Sequence, residues 1–397
     1  MSAQIDLDNA PIKRTLLQFF LPSVFAMTIK SIFILTDLAF VGQGVGVAGL
    51  GAISLTVPFF SFSMALAEMV GVGGATLMSI QFGKKNHQAG QSLFEQSLLL
   101  FFALSAVMIA VGLFWIDEIV ALMGARGELH QAAADFLSVM MVFFMFQGGQ
   151  FVLAGFIRND TNPRLVMRAM VGGSIANIIL DYTFIFIFDW GIKGAALATG
   201  LGQSLIFITL LTHFIQGKGR LRLRFTGGYS LSQMLEILKT GIPTFFLESV
   251  GAVTTLVFNY VLLAKYGALH VTAYSIIMNT SIVVLFIVAG LGQACQPIIS
   301  YNFGAGRMDK VKETVFLGIR YAGLVGVIAT VAVLLAATQI VSVFTQDHTV
   351  IELAAPAMKI YFLGFVLMGI NIVIATLFQS IGRPKTASII SLSEVTP

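Results

Sequence analysis

Two aspartates and one asparagine lie inside long apolar stretches, where a polar side chain is costly and usually functional. Asp37 occurs in Leu-Thr-Asp-Leu-Ala-Phe-Val-Gly, and Asp181 ends Ala-Asn-Ile-Ile-Leu-Asp, with Asn177 one helical turn earlier. On a helix, Asn177 and Asp181 share one face. Carboxylate and amide oxygens suit a hard cation, and closely placed carboxylates also take up protons in two coupled steps. The trio is predicted to hold Na⁺ or H⁺; the alternative is that each residue caps or crosslinks helices without binding anything.

Glu68, Glu248 and Lys30 are further ionisable residues within apolar stretches. A carboxylate that faces a central cavity would attract cationic substrates, whereas one that faces another helix would be a protonated structural group. Glu68 and Glu248 are therefore candidates for a substrate cavity. Lys30 stands seven residues before Asp37, on the same face and about 10 Å away along the axis. From the sequence it can extend to the cytoplasmic surface, pair with Glu68 or enter the cavity.

Four glutamines complete the candidate cavity residues, namely Gln147, Gln150, Gln293 and Gln296. Interhelical hydrogen bonding competes with substrate contact as their role. The five histidines show no metal-ligand spacing, and no Gly-rich loop ending in Lys-Ser or Lys-Thr is present to bind ATP phosphates. We therefore expect neither an enzyme nor a cofactor, and an ion gradient remains as the energy source.

The composition places these residues in a lipid bilayer. The 397 residues are 57% hydrophobic and 11% charged, with a mean hydropathy of +0.91, against about 25% charged residues in soluble domains. Helices are expected because lipid offers no hydrogen-bond partner to an open sheet edge. The fold class is therefore an all-α polytopic membrane protein. Ten spans are predicted at about 15–41, 50–82, 93–115, 133–157, 165–188, 194–216, 238–264, 271–300, 315–340 and 354–381.

The basic residues indicate the orientation. Of 23 Lys and Arg residues, 18 fall on one side of the predicted topology: Lys13, Arg14, Lys84, Lys85, Arg158, Arg164, Arg168, Lys218, Arg220, Arg222, Arg224, Lys239, Arg307, Lys310, Lys312, Arg320, Arg383 and Lys385. The positive-inside rule places this side, with the N-terminus, in the cytoplasm. Juxtamembrane charge explains the basic stretch 218–224, so no nucleic-acid partner is expected.

An internal repeat organises the chain. Pro22 returns as Pro243, Gly83 as Gly304 and Pro163 as Pro384, each 221 residues later. Six spans separate the copies, so both have the same orientation, as in transporters built from parallel repeats. Glu68 and Glu248 have no acidic counterpart in the other copy.

The repeat predicts the domain boundaries. We expect an N-lobe at 1–217 with spans 1–6, a basic cytoplasmic linker at 218–237, and a C-lobe at 238–397. Pro397 corresponds to Ala176 in the first copy, so the second six-helix lobe is expected to be incomplete. It would hold spans 7–10 and a stub of the eleventh, and would end before spans 11–12.

Several motifs resemble those of the multidrug and toxic compound extrusion (MATE) family. They are Thr-Asp-Leu-Ala-Phe-Val-Gly at 36–42, Ile-Arg-Asn-Asp-Thr-Asn-Pro-Arg at 157–164, Ala-Asn-Ile-Ile-Leu-Asp at 176–181, Gly-Ile-Lys-Gly-Ala-Ala-Leu-Ala-Thr at 191–199 and Gln-Pro-Ile-Ile-Ser-Tyr-Asn-Phe-Gly-Ala at 296–305. The resemblance implies a twelve-helix, two-lobe antiporter. It also implies an N-lobe cation site at Asp37, Asn177, Asp181 and Thr199, and a role for Glu248. Lys30 and Glu68 depart from the family pattern.

The expected function is a secondary-active multidrug exporter that exchanges cationic lipophilic compounds for Na⁺ or H⁺. One alternative is a lipid-linked oligosaccharide flippase of the same superfamily, which would need a cationic cavity. The other is a non-transporting truncated remnant. We expect a monomer in the bacterial inner membrane, with small cationic molecules and the bilayer as its partners.

Overall fold

The computed structural model describes residues 5–225 and 227–395, and their side chains except at 47, 250, 252, 255, 256, 263, 268 and 393–395. The helices are α1 (Ile12–Gly44), α2 (Val47–Gly83), α3 (His87–Phe114), α4 (Ile116–Leu122), α5 (Glu128–Val142), α6 (Phe144–Asn159), α7 (Pro163–Asp181), α8 (Gly191–Ile215), α9 (Leu231–Tyr266), α10 (Ala268–Gly304), α11 (Met308–Phe344), α12 (His348–Leu363), α13 (Phe365–Ser380) and α14 (Pro384–Val395). A π-helix, Tyr182–Ile187, continues α7. No β-strand occurs in the described residues, and the predicted all-α class is confirmed.

The helices are long enough and apolar enough to cross a bilayer. Among the described residues, seven single helices pass this test of length and composition, and the count rises to nine if two bent pairs are each one span. Helix α9 has 36 residues, about 54 Å at 1.5 Å per residue, so it also has the length to span. The protein is therefore a multi-pass membrane protein.

Two predicted spans are not continuous helices. The span at 133–157 is divided between α5 and α6, which meet at an angle of 51°, and the span at 354–381 between α12 and α13, at 42°. The breaks lie at Phe143 and Gly364, where the sequence has no proline to announce them. Expecting straight spans here was wrong, because these bends have no local helix-breaking residue.

The helix bounds repeat at the same interval as the sequence. The breaks at Phe143 and Gly364 are 221 residues apart, as are the starts of α3 and α11 and of α7 and α14. Gly46 and Gly267 precede α2 and α10, and both have a φ of 85°. Below, the first half means α1–α8 and the second half α9–α14; the two-lobe arrangement with its boundaries stays a prediction.

Glycines let the two halves meet backbone to backbone at the end where the basic residues concentrate. A Cβ on Gly83 would clash with the carbonyl of Tyr301, and one on Gly304 with the carbonyl of Ile80. Close by, the Ser79 hydroxyl donates to the Pro297 carbonyl at 3.3 Å. The ends of α2 and α10 are therefore in direct contact without intervening side chains.

The N-terminal segment adds a charged link at the same end, centred on Asp8. The Asp8 carboxylate accepts from Lys85 Nζ at 2.9 Å, from the Tyr301 hydroxyl at 3.0 Å and from the Arg307 guanidinium. Lys310 Nζ donates to the Asp8 carbonyl at 2.7 Å. Partial burial alone would raise the pKa of Asp8, but the bonds from Lys85 and Arg307 outweigh it and hold the pKa well below its usual range. Asp8 thus joins a first-half loop to the second half.

The connection between the halves is bound to the first half. Asp160 and His213 are fully buried and 2.9 Å apart, and both Asp160 oxygens accept from the Arg220 backbone N–H at 3.0 Å. The Ser230 backbone N–H donates to Gln96 of α3 at 3.0 Å. Helix α9 begins at Leu231, inside the stretch 218–237 predicted as the linker.

Candidate functional site

The end of α7 positions two of the predicted cation-site residues. Asn162 caps this helix by accepting from the Leu165 N–H at 3.4 Å, and Pro163 occupies the first helical position, where its missing N–H costs nothing. Asn177 and Asp181 stand one turn apart at the other end and are 1% and 0% exposed. The chain then widens into the π-helix, a form that is frequent at functional sites.

Helix α1 brings Asp37 to the same place. The carboxyl groups of Asp37 and Asp181 face each other at close range. Asp37 Oδ1, both oxygens of Asp181 and both amide atoms of Asn177 are buried without a hydrogen bond of good geometry. A cluster of buried polar atoms with no partner is costly, so this arrangement is unusual for residues that only crosslink helices.

The donor set fits a small hard cation or a shared proton. Two carboxylates and an amide oxygen are the oxygen ligands that such cations prefer, and two facing carboxylates are less repulsive when they share a positive partner. No group of three or more His, Cys, Asp or Glu residues that could hold a metal occurs in the described residues. A Na⁺ ion here would therefore need the Asn177 amide beside the two carboxylates.

Thr199, the fourth predicted cation-site residue, lies on the neighbouring helix. A Cβ on Gly202 of α8 would stand 2.8 Å from the Asn177 Cβ, so α8 runs against α7 at this point. The two helices are antiparallel neighbours, and Thr199 precedes Gly202 by almost one turn, which places it at the depth of Asp181. Thr199 is 7% exposed. The structure thus brings all four predicted residues to one region, while their role in binding a cation stays a prediction.

A second group of ionisable residues lies nearer the basic end, between the two halves. Glu68 of α2 is within Coulombic range of Glu248, Lys30 and Arg158, which lie on α9, α1 and α6. The predicted cavity residues Glu68 and Glu248 are therefore neighbours. Arg158, which the sequence placed with the loop cations, lies in the last turn of α6 and is directed at Glu68.

Lys30 neither reaches the membrane surface nor stands alone. Its Nζ lies 4.9 Å from the centroid of the Phe151 ring and 5.3 Å from that of Phe286. Phe151 belongs to α6 and Phe286 to α10, so the ammonium is held between aromatic rings from both halves. With Glu68 in range, the position combines two aromatic rings and a carboxylate around one cation.

The glutamines divide into two kinds. Gln150 donates to Gln203 of α8, and Gln296 joins the halves by accepting from Asn159 at 2.8 Å and donating to Thr76 at 3.0 Å. These two make the interhelical hydrogen bonds that were the alternative to substrate contact. Gln147 and Gln293 each have a buried side-chain oxygen without a partner, so they remain candidates for contact with a ligand.

Sequence reasoning missed Asp8 and Arg158. Asp8 lies in a polar N-terminal segment, and nothing local links it to residues about 300 positions away. Arg158 stands beside the Asn-Asp-Thr-Asn-Pro loop, which made it look like an ordinary juxtamembrane cation. A charged residue one position before the end of an apolar helix is the only signal that would have raised the question.

The membrane fold, the internal repeat and the paired carboxylates point to a transporter family, and the sequence profile of MatE matches residues 22–183 and 242–396. The chain belongs to the MATE family. Members of the MATE family are membrane transporters, not enzymes, as the names of the relatives below also indicate.

The MATE relatives match over almost the whole chain. Multidrug export protein MepA of Staphylococcus aureus (strain MSSA476) is 30% identical over 388 residues, which are 97% of this chain and 85% of MepA. A crystal structure of MATE in complex with MaL6 has a TM-score of 0.92 and 21% identity over 99% of this chain and 88% of that one. A MOP superfamily transporter from Pyrococcus furiosus, described as having a binding pocket of reverse polarity, has a TM-score of 0.91 and 23% identity over 97% and 86%. At these identities the two structures establish the shared fold alone.

Proposed function

We propose that this chain is a secondary-active multidrug exporter that exchanges cationic lipophilic compounds for Na⁺ or H⁺. The observation that carries the proposal is the pair of facing carboxylates, Asp37 and Asp181, buried with the Asn177 amide and without hydrogen bonds of good geometry. Export of several drugs by the related MepA supports the same reading, as its name states.

Exchange requires that the cation and the drug favour different conformations. In the proposed cycle, Asp37 and Asp181 take a cation from outside while the substrate leaves. The cation neutralises the pair and lets α1 pack differently against α7. The two predicted lobes then rock, and the affinity of the cavity for the drug falls. Thr199 would complete the cation site from α8.

The substrate would bind between the halves, near Glu68 and Glu248. Their carboxylates attract an organic cation, and Phe151 and Phe286 offer aromatic faces to it. Gln147 and Gln293, with their unpartnered oxygens, add hydrogen-bond acceptors. Aromatic and carboxylate groups without a rigid hydrogen-bond pattern suit substrates that share charge and greasiness but not shape.

The proposed location is the bacterial inner membrane, with the N-terminus in the cytoplasm. The excess of Lys and Arg at one end supports this orientation. The glycine contacts and the Asp8 link lie at that end. The conformation is then closed toward the cytoplasm, the state from which a substrate would leave to the outside.

The test is efflux of ethidium, a fluorescent cation, from energised cells that express the chain. Asp37→Asn keeps the size of the side chain but removes its charge, and we expect at least a tenfold loss of gradient-driven efflux at unchanged expression. Asp117→Asn, at a side chain that is 75% exposed, is the control and should leave efflux unchanged. Collapsing the Na⁺ and H⁺ gradients separately identifies the coupling ion. Unchanged efflux in Asp37→Asn would refute the site.

One observation favours the flippase alternative. Arg158 adds a second cation to Lys30 beside Glu68, and a pyrophosphate head group would need positive charge in the cavity. The double variant Lys30→Gln with Arg158→Gln separates the two functions. An exporter of cations should keep or gain ethidium efflux, whereas a flippase should lose translocation of a pyrophosphate-linked lipid.

A further inference from the structure

A groove runs along the outside of the first half between α1 and α7, at the basic end. It has a volume of about 980 Å³ and is lined by Pro11, Lys13, Arg14, Leu17, Gln18, Leu21, Pro22, Phe25, Arg164, Met167 and Arg168. Four of these residues are cations, and no acidic residue lines the groove. The charged residues lie at its mouth, where both helices begin, and the apolar residues form its wall.

The four cations have no evident structural role. In the described residues, Lys13, Arg14, Arg164 and Arg168 are exposed, and no salt bridge or hydrogen bond is made by their side chains. Lys13, Arg14 and Arg164 stand in the first turns of their helices, which contain no acidic residue. A helix N-terminus is itself positive, so two N-termini and four cations repel one another unless an anion lies among them.

The apolar wall has the direction and depth of one leaflet. Lys13, Leu17, Leu21 and Phe25 recur every four residues on one face of α1. From Lys13 to Phe25 the helix rises about 18 Å, and half of a hydrocarbon core of about 30 Å is about 15 Å. Leu21 and Phe25 are 63% and 52% exposed. The groove is thus charged at the membrane surface and apolar for the depth of an acyl chain.

We propose that this groove is a binding site for an anionic phospholipid. Its phosphate lies among Lys13, Arg14, Arg164 and Arg168, and one acyl chain lies along Leu17, Leu21 and Phe25. The chemistry selects a monoanionic head group over a zwitterionic one because the mouth offers positive charge and no acidic partner for a choline. The proposal is independent of the transport function.

The repeat provides the contrast that makes the site specific to the first half. At the interval of 221 residues, Lys13 and Arg14 correspond to Met234 and Leu235, and Arg168 corresponds to Ile389. Only Arg164 has a basic counterpart, Lys385. The equivalent face of the second half therefore lacks the cluster of cations.

The test measures lipid retention by native mass spectrometry of the full chain in detergent. The probes are phosphatidylglycerol and phosphatidylcholine with the same acyl chains. Since each Lys or Arg near the surface contributes about 1 kcal/mol to attraction of anionic lipid, we expect the wild type to prefer phosphatidylglycerol by at least tenfold. The variant K13Q/R14Q/R164Q/R168Q should lose that preference. The control K312Q/R320Q/R383Q/K385Q removes four exposed cations from the second half and should keep it.

A second variant tests the apolar wall with all charges intact. Leu21→Trp fills the groove and should reduce retention of phosphatidylglycerol at least threefold, whereas Leu324→Trp, at an exposed position on α11, should not. Glycerol phosphate, which has no acyl chains, should not compete at the same concentration. Equal retention by the groove variant and its control, or full competition by glycerol phosphate, would overturn the proposal.

Discussion

At the scale of single residues, the chain concentrates its charge where lipid would otherwise exclude it. Asp37 and Asp181 meet from α1 and α7, and Glu68, Glu248, Lys30 and Arg158 meet from four different helices. Each group holds the opposite balance of charge: the first is purely acidic, and the second is mixed. A purely acidic group gains most from an exchangeable positive partner, whereas the mixed group already contains positive partners.

The position of Lys30 leads to a prediction about substrate affinity. Its ammonium lies between Phe151 and Phe286, the environment that an organic cation would seek. Lys30→Gln removes this internal competitor, so we expect the ethidium concentration for half-maximal efflux to fall about threefold or more, in line with the value of a cation–π contact. Lys30→Arg keeps the charge and serves as the control.

The opposite result for Lys30→Gln is also informative. If Lys30 mainly holds the two halves together, the variant should lose efflux at every ethidium concentration, and its half-maximal concentration should not fall. That outcome would show that the aromatic pair is not shared with the substrate.

The residue scale also shows how far the sequence reaches. The shared face of Asn177 and Asp181 follows from helical spacing alone, and the structure agrees. That Asp37 meets them depends on how α1 packs against α7, which spacing cannot reveal. For Glu68, the sequence left open whether it faces a cavity or another helix, because its partner Arg158 lies 90 positions away on α6.

At the scale of helices, close packing of α2 against α10 depends on two glycines. Gly304→Val should lower the melting temperature in detergent by a few degrees, because the new side chain meets the Ile80 backbone and overpacking costs about 1–3 kcal/mol. Gly323→Val on α11 is the control, since a Cβ there has no neighbour within 4 Å.

An unchanged melting temperature for Gly304→Val would mean that α2 and α10 separate without cost. In that case, the contact between their ends would not be a stabilising feature of this conformation, and the cytoplasmic closure would depend on side chains alone.

Helix starts were more predictable than helix bends. Asn162 and Pro163 mark the start of α7 by chemistry that any sequence shows, and the repeat places α14 at the same offset. The bends at Phe143 and Gly364 have no proline and occur at equivalent points of the two copies. Their cause is therefore packing shared by both copies, which a single local sequence does not encode.

At the scale of the whole molecule, Asp8 joins the halves at the basic end. Asp8→Asn weakens the bonds from Lys85 and Arg307, so we expect the closed conformation to lose population. Spin labels at positions 84 and 312 should report a larger share of long distances. Asp6→Asn is the matched control, because Asp6 bonds only within its own segment. Identical distance distributions in the two variants would contradict the role of Asp8.

The pH dependence of this link has a definite sign. The pKa of Asp8 is lowered in the closed conformation, so its contribution is fully present above the ordinary pKa of about 3.9 and is lost as the pH falls through the lowered value. Between pH 5.5 and 8 the label distances should therefore show no change due to Asp8. A change in this range that disappears in Asp8→Asn would contradict the assignment.

The attachment of the connecting segment to α3 and Asp160 determines where the molecule can pivot. Because Arg220 and Ser230 are bound to the first half, the start of α9 travels with that half during any rocking motion. The fulcrum must then lie farther along α9, near Pro243, where the helix lacks one backbone hydrogen bond. A covalent staple between positions 96 and 233 should consequently leave turnover intact.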